Sequence, residues 1–322
     1  MTNNDDSINK HIALTAKAML RGKNNLNFLL IGRTGVGKSS TINSLLGSEV
    51  APTGKYQPTT MEIETYTHNH NGFFYKITDT PGLCDDLPEI GNDHAYLKKI
   101  GEVLKDIDCV WFVTELDAAR VTSDEKRGIK LITEALGVKL WAKAVIVFTR
   151  ADKSSDFEMD LSERTKIIRC EIGKYYSHSE IIPSVAVSNT TSILPNGKPW
   201  LGELFTQVFL RFSDKGALPF LESMKKDIAG EEEKESIEKA EPTERIETDE
   251  PKQEKEKKKP RIELDEEQKA KIKESAWNRI MAGATSGSAI GGKIGKAFGT
   301  RGANIGTAIG AVCGGVLGFL FG

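Results

Sequence analysis

A chain of 322 residues, 39% hydrophobic and with a formal net charge of −2 at neutral pH, is long enough for one large domain or two small ones. The near-balance of charge gives no overall attraction to nucleic acid or anionic lipid, so no nucleic-acid partner is expected and any basic site is local. The cysteines, Cys84, Cys109, Cys170 and Cys313, are scattered without a CxxC pair, which argues against a disulfide framework or zinc pattern and fits a reducing, cytosolic compartment.

The N-terminus, MTNNDDSINK, is polar and has neither the apolar core of a signal peptide nor the character of a transit peptide. Residues 1–24 read as a helical lead-in, carried by INKHIALTAKAMLRG. Residues 25–222 then alternate strand-like apolar runs with helix-like segments. NFLLIG is the first strand, and IETYTHNHNGFFYKITDT predicts two strands around an Asn71–Gly72 turn. DCVWFVTEL, AKAVIVFTR and IIPSVAVSN are dense apolar runs of the kind buried in parallel sheets. LGELFTQVFLRF has helical spacing and closes the unit. This alternation predicts an α/β fold with a central, mostly parallel sheet covered on both faces.

Composition then changes abruptly. Residues 223–275 are dominated by charge of both signs, with prolines at Pro242, Pro251 and Pro260, and are expected to form a disordered or intermittently helical linker. Residues 276–322 carry two glycine stripes, Gly283, Gly287, Gly291, Gly295 and Gly299, then Gly302, Gly306, Gly310, Gly314, Gly318 and Gly322. Glycine at this spacing lets helix backbones approach closely, as small residues do between membrane helices. Residues 303–322 are uncharged and about as long as a bilayer span, whereas Lys293 and Lys296 suit the preceding stripe to an interface. A glycine-zipper helical hairpin on a membrane is the expectation, with a soluble oligomerisation module as the alternative.

The chemistry is concentrated near the front. NFLLIGRTGVGKSS sets Gly32-x-x-x-x-Gly37-Lys38-Ser39 between a strand and the helix-compatible SSTINSLLG. Glycines allow the backbone N–H groups of Gly35, Val36, Gly37, Lys38, Ser39 and Ser40 to wrap a phosphate. Lys38 reaches the β- and γ-phosphates, and the Ser39 hydroxyl ligates Mg2+. Arg33 reads as a surface residue. Asp79-Thr80-Pro81-Gly82 follows the strand FFYKIT, where Asp79 can hold Mg2+ through water and the Gly82 N–H can sense the γ-phosphate. In QPTTME one of Thr59 and Thr60 closes on Mg2+ as switch I; the sequence does not choose between them. Thr149-Arg150-Ala151-Asp152 follows the buried strand AVIVF. A carboxylate there accepts both the N1–H and the exocyclic amine of guanine, contacts that adenine does not offer. In this order and at strand ends, the pieces predict a P-loop G domain binding GTP or GDP with Mg2+.

GRTGVGKSSTINSLLG, DTPGL, FTRAD, KLWAKAVIVF and ILPNGKPWLGELF together resemble the septin-related GTPases. Within these the chain is similar to the immunity-associated nucleotide-binding proteins and the Toc GTPase receptors of the chloroplast outer envelope, over roughly residues 27–212. The resemblance implies hydrolysis of GTP to GDP and phosphate, and places Ser188 and Asn189 in the loop bordering the base. Toc receptors typically lack an acid at the position of Asp152, so FTRAD follows the immunity-associated branch; the linker and glycine tail match neither. Leu83 follows DTPG in place of the water-orienting glutamine of Ras-type enzymes, so intrinsic turnover is expected to be slow. TELDAARVT resembles the Toc segment in which an arginine reaches across a dimer to the partner's phosphates. That implies a homodimer through the G domain and assigns Lys38, Arg120 and Thr60 to catalysis, a surface salt bridge being the plainer role for Arg120. Relatives of this kind commonly carry C-terminal membrane anchors. The combined expectation is a GTPase switch tethered at the cytoplasmic face of a membrane. Its rival is a GTP-dependent oligomerising scaffold with incidental hydrolysis; a receptor for precursor proteins rests on analogy alone.

Overall fold

The computed structural model describes residues 2–52, 64–80, 106–118, 120–230 and 259–285. Its strands are β1 (Asn25–Ile31), β2 (Glu64–His70), β3 (Phe73–Asp79), β4 (Cys109–Glu115), β5 (Ala144–Thr149) and β6 (Ser184–Ala186). They form one sheet in the order β2-β3-β1-β4-β5-β6. Only β2 runs antiparallel to its neighbour; the other pairings are parallel. The expected mostly parallel α/β sheet is therefore present.

The apolar runs explain the layering. In β4 every residue but the last is buried, and β5 is buried throughout, so both sheet faces must be covered by helices. These helices are α1 (Thr2–Arg21), α2 (Lys38–Leu46), α3 (Ser123–Leu136), α4 (Phe157–Gly173), α5 (Leu201–Arg211), α6 (Ala217–Ser223), α7 (Lys225–Ala229) and α8 (Glu266–Thr285). They fall into two contact groups, α3 with α4, and α1, α2, α5, α6 and α8 in a continuous second set. The edge strand β2 is polar and partly exposed, and it joins β3 through Asn71 and Gly72 at φ 51° and 86°. Both residues are left-handed, as a two-residue hairpin turn that matches strand twist requires. The Asn71 side chain fastens this turn by donating to Ser223 O at 2.7 Å.

The C-terminal region departs from expectation. Residues 259–275, read from sequence as part of a linker, are ordered against the sheet domain, and α8 continues through the boundary placed at residue 276. Ile272, Ala276, Ile280 and Ala284 recur every fourth residue and are all buried, packing against α1 and α5. One apolar side chain per turn suffices for docking when the intervening positions are charged. Gly283 sits at the α1 contact, where an added Cβ would lie 3.0 Å from Met19 Sδ. The first glycine of the stripe is thus a packing notch within the protein. The remaining glycines and the expected hairpin lie outside the described residues.

A polar clamp precedes α8. Arg261 donates from Nη1 to Ser44 O and from Nη2 to Leu45 O, each at 2.7 Å. These are carbonyls at the C-terminal end of α2, where a cation also complements the helix dipole. Arg261 Nε reaches Asp227 Oδ1 at 2.7 Å, and His70 Nε2 lies 2.8 Å from Asp227 Oδ2. Burial pushes the Asp227 carboxyl upward, but hydrogen bonds from His70 and Arg261, with their charges, outweigh it and hold the pKa below its ordinary value. Because the folded pKa is depressed, this contribution to stability is complete above the unfolded value of about 4 and lost as pH falls through the lower folded value. Melting temperature between pH 5 and 2.5 should therefore fall less steeply in Asp227→Asn than in the parent; equal slopes would show that the clamp is not part of the acid response.

Candidate functional site

The parallel strands present their C-terminal ends along one rim. In register, Leu30 pairs with Asp79, Glu115 with Thr149, and Phe148 with Ala186. The chain leaves β1 toward β3 on one side and returns to β4 on the other, so the crevice above β1 is where an open α/β sheet binds ligands.

The loop after β1 is built around this crevice. Gly32 has φ 154°, and an added Cβ would come within 2.2 Å of Val113 O. At Gly37 φ is 100°, left-handed, immediately before the first residue of α2. No side chain would fit at Gly32, and at Gly37 one would be both strained and pressed against Asn189. The loop N–H groups and the start of α2 make an anion-binding cradle. Lys38 is buried and folds back over the loop, donating to Gly32 O at 2.8 Å and to Arg33 O at 3.0 Å. Its Nζ also lies 3.4 Å from Asp79 Oδ1.

Asp79 tests whether a divalent cation belongs here. Its Oδ1 is buried and has no hydrogen-bond partner, since the distance to Lys38 is too long for one. Burial pushes the Asp79 carboxyl upward, and the nearby Lys38 charge opposes that shift. A buried carboxylate oxygen without a donor, beside Ser39 in the first turn of α2, suits a hard cation such as Mg2+. Ser39 and Asp79 would hold the ion, which supplies charge neutralisation of the phosphates when bound. Thr59, Thr60 and Gly82 lie outside the described residues.

At the far end of the rim, Asp152 is exposed and already oriented. Ser188 Oγ donates to its Oδ1 at 2.7 Å, and Thr190 Oγ1 to its Oδ2 at 3.0 Å. The hydrogen bond from Ser188, followed by that from Thr190, holds the Asp152 carboxyl below the usual range. The group is a preset double acceptor. Asn189 turns to the other side, meeting Thr41 Oγ1 at 3.3 Å and the Gly37 carbonyl at 3.5 Å. The buried Thr149 hydroxyl donates to Val36 O at 2.6 Å, which pins the phosphate loop to β5. Arg150, in the left-handed region at φ 57°, pairs with Glu115 at 2.8 Å and reaches Gly35 O at 3.3 Å.

The structure therefore brings together Gly32, Gly35, Val36, Gly37, Lys38, Ser39, Ser40, Asp79, Thr149, Arg150, Asp152, Ser188 and Asn189. Thr149 and Arg150 brace the loop, while Asp152 and Ser188 form the polar edge. Thr190, Thr41 and Glu115 were not anticipated; short polar side chains and a strand-end acid carry no motif. Arg120 is exposed on the connection between β4 and α3.

Comparison with known proteins decides the lineage. A profile of the AIG1 family matches residues 26–166. Translocase of chloroplast 34 from Pisum sativum is 32% identical over 214 residues, 59% of this chain and 68% of that protein. The chain belongs to the AIG1 family. GTP-binding protein A of Dictyostelium discoideum is 39% identical to this AIG1-family chain over 138 residues, 42% of it but only 30% of the relative's length. Among solved structures, Arabidopsis thaliana Toc33 in complex with GDP and Mg2+ matches with a TM-score of 0.50 at 26% identity, covering 65% of this chain and 91% of that one. Toc33 has also been solved as a dimerization-deficient arginine-to-alanine mutant, and dimerization is important for the GTPase activity of atToc33 and psToc159.

Proposed function

We propose that this AIG1-family GTPase is a switch whose turnover rises when two G domains pair, with residues 276–322 holding it at the cytoplasmic face of a membrane. The protein is a GTPase, and its ligands are GTP or GDP with Mg2+. The observation that carries the reading is the rim itself: a phosphate cradle with Lys38 and Asp79 at one end, and an Asp152 carboxylate fixed by Ser188 and Thr190 at the other. The separation of cradle and acceptor along five strand ends suits one nucleotide lying across them, triphosphate on the loop and guanine on Asp152.

In hydrolysis water attacks the γ-phosphorus and the bond to the β–γ bridging oxygen breaks, leaving GDP and phosphate. Lys38 and the loop N–H groups stabilise the charge that gathers on the phosphate oxygens. With leucine following DTPG, no side chain at that position orients the water, so an arginine from outside the protomer has most to add. Arg120 is exposed on the same rim, and in the Toc relatives pairing matters for activity. Such an arginine is worth about 10³–10⁵-fold in favourable cases. Membrane tethering is supported by the uncharged glycine-striped sequence of residues 303–322; no helix among the described residues is long and apolar enough to cross a bilayer.

Turnover per protomer, measured against protein concentration, should rise with pairing in the parent. Arg120→Ala should lose at least about tenfold of that rise while keeping GDP affinity. A parent whose specific activity is independent of concentration would sink the pairing reading. Carbonate extraction of the full chain beside one ending at residue 285 tests the tether: both in the soluble fraction would favour the oligomerising scaffold instead.

A further inference from the structure

The connection that carries Arg120 is held from beneath by a buried charge. It leaves β4 at Glu115 and enters α3 at Ser123, with Thr122 as the helix cap. Glu125 Oε2 accepts from Thr122 N at 2.7 Å and from Thr122 Oγ1 at 3.2 Å, while Glu125 N donates back to Thr122 Oγ1 at 3.2 Å. The other carboxylate oxygen, Oε1, accepts from the Thr114 hydroxyl and lies 3.3 Å from Arg164 Nη2. That same nitrogen donates to Thr114 Oγ1 at 2.9 Å. The side chains of Arg164 and Glu125 are only 4% and 5% exposed. Arg164 Nε and Nη1 are buried without any hydrogen-bond partner.

A capping box by itself asks for no such arrangement, because its glutamate works as well at the surface. Burying a guanidinium with two unmet nitrogens is unfavourable, and apolar packing between α3 and α4 would hold these helices together at least as well. What the ion pair adds is direction. It selects one rotamer of Glu125, and Glu125 in turn fixes the Thr122 amide two residues beyond Arg120. The cluster is also referenced to the phosphate loop, since Thr149 Oγ1 bridges Thr114 O at 3.3 Å and Val36 O at 2.6 Å.

We propose that Arg164 is a positioning residue for Arg120, acting through Glu125 and the Thr122 cap to hold the Arg120 connection in register with the phosphate loop before a second protomer arrives. Its effect on turnover rests on the pairing reading above; its effect on the connection does not. The test uses the full chain, as Arg164→Met and as the neutral pair Arg164→Met/Glu125→Gln, which leaves no buried charge uncompensated. Amide exchange across residues 120–126 should accelerate about tenfold or more in Arg164→Met, with residues 32–40 unchanged. The concentration-dependent part of turnover should fall about tenfold, while turnover at high dilution and GDP affinity stay within about twofold. Arg164→Lys keeps the charge and one donor, all that the geometry uses, and should restore the protection. Unchanged exchange at 120–126 overturns the proposal, as does acceleration spread equally into the phosphate loop or failure of both variants to fold. If exchange changes as expected but the parent shows no concentration dependence, the positioning role stands and the pairing reading falls.

Discussion

Asp152→Asn is expected to lower GTP affinity by about 10²–10⁴-fold, from the loss of two charge-assisted hydrogen bonds of some 1.5–3 kcal/mol each. The carboxylate is an acceptor on both oxygens, already lowered in pKa and held by Ser188 and Thr190. Guanine offers it two donors, N1–H and the exocyclic amine. Asparagine can accept from one but presents its own amide donor to the other, so the pair becomes mismatched. Xanthine has a carbonyl in place of that amine, and the variant should bind xanthosine triphosphate better than GTP. Titration of both nucleotides with fluorescent analogues separates the outcomes. An equal loss for both would mean that the substitution damages the site generally, and no loss would remove Asp152 from base recognition.

The second large effect concerns α8. Ile280→Ala should destabilise the protein by about 2–5 kcal/mol, and the melting temperature should fall on the order of 5–15 °C for a domain of this size. Ile280 is fully buried, and the α8 turn that bears it is fixed by Arg279, whose Nη2 donates to Leu210 O and Phe212 O at 3.1 Å each. The Arg279 guanidinium also lies 5.4 Å from the Phe209 ring centroid. Phe212 stacks on Phe220 at 4.6 Å, so the contact leads directly into the core beneath β1. A chain ending at residue 285 should melt like the full protein, whereas one ending at residue 258 should melt lower or aggregate. Calorimetry with GDP present in excess makes the comparison, and indistinguishable transitions for the two truncations would show that α8 adds nothing to the fold.

What could be read beforehand follows from how local each signal is. β4 and β5 announce themselves as unbroken apolar runs because both sheet faces are covered. Gly32, Lys38, Asp79 and Asp152 could be placed because each stands directly after such a run, where a side chain must reach the rim. α8 was hidden: its apolar residues are one per turn, and the charged positions between them dominate any average over the segment. The Arg261–Asp227 and Arg164–Glu125 pairs were invisible for a different reason. Each joins residues far apart in sequence, and a lone charge among many carries no mark of its partner. Asp152 was legible as an acceptor, but Thr190, which completes its orientation, looked like any loop threonine.

The clamp at Arg261 changes what the charged stretch can do. Residue 231 leaves from α7 and residue 258 returns to the same place, where Ile262 N donates to Asp227 O at 2.9 Å. A segment with both ends pinned together adds no reach to whatever follows it. The distance from the nucleotide site to any surface held by the tail is therefore counted from Thr285, and the charged residues form an eyelet rather than a leash. Doubling the length of such an eyelet raises the closure penalty by only about 0.6 kcal/mol. Its length is thus free to vary without moving the G domain nearer to, or farther from, its anchorage.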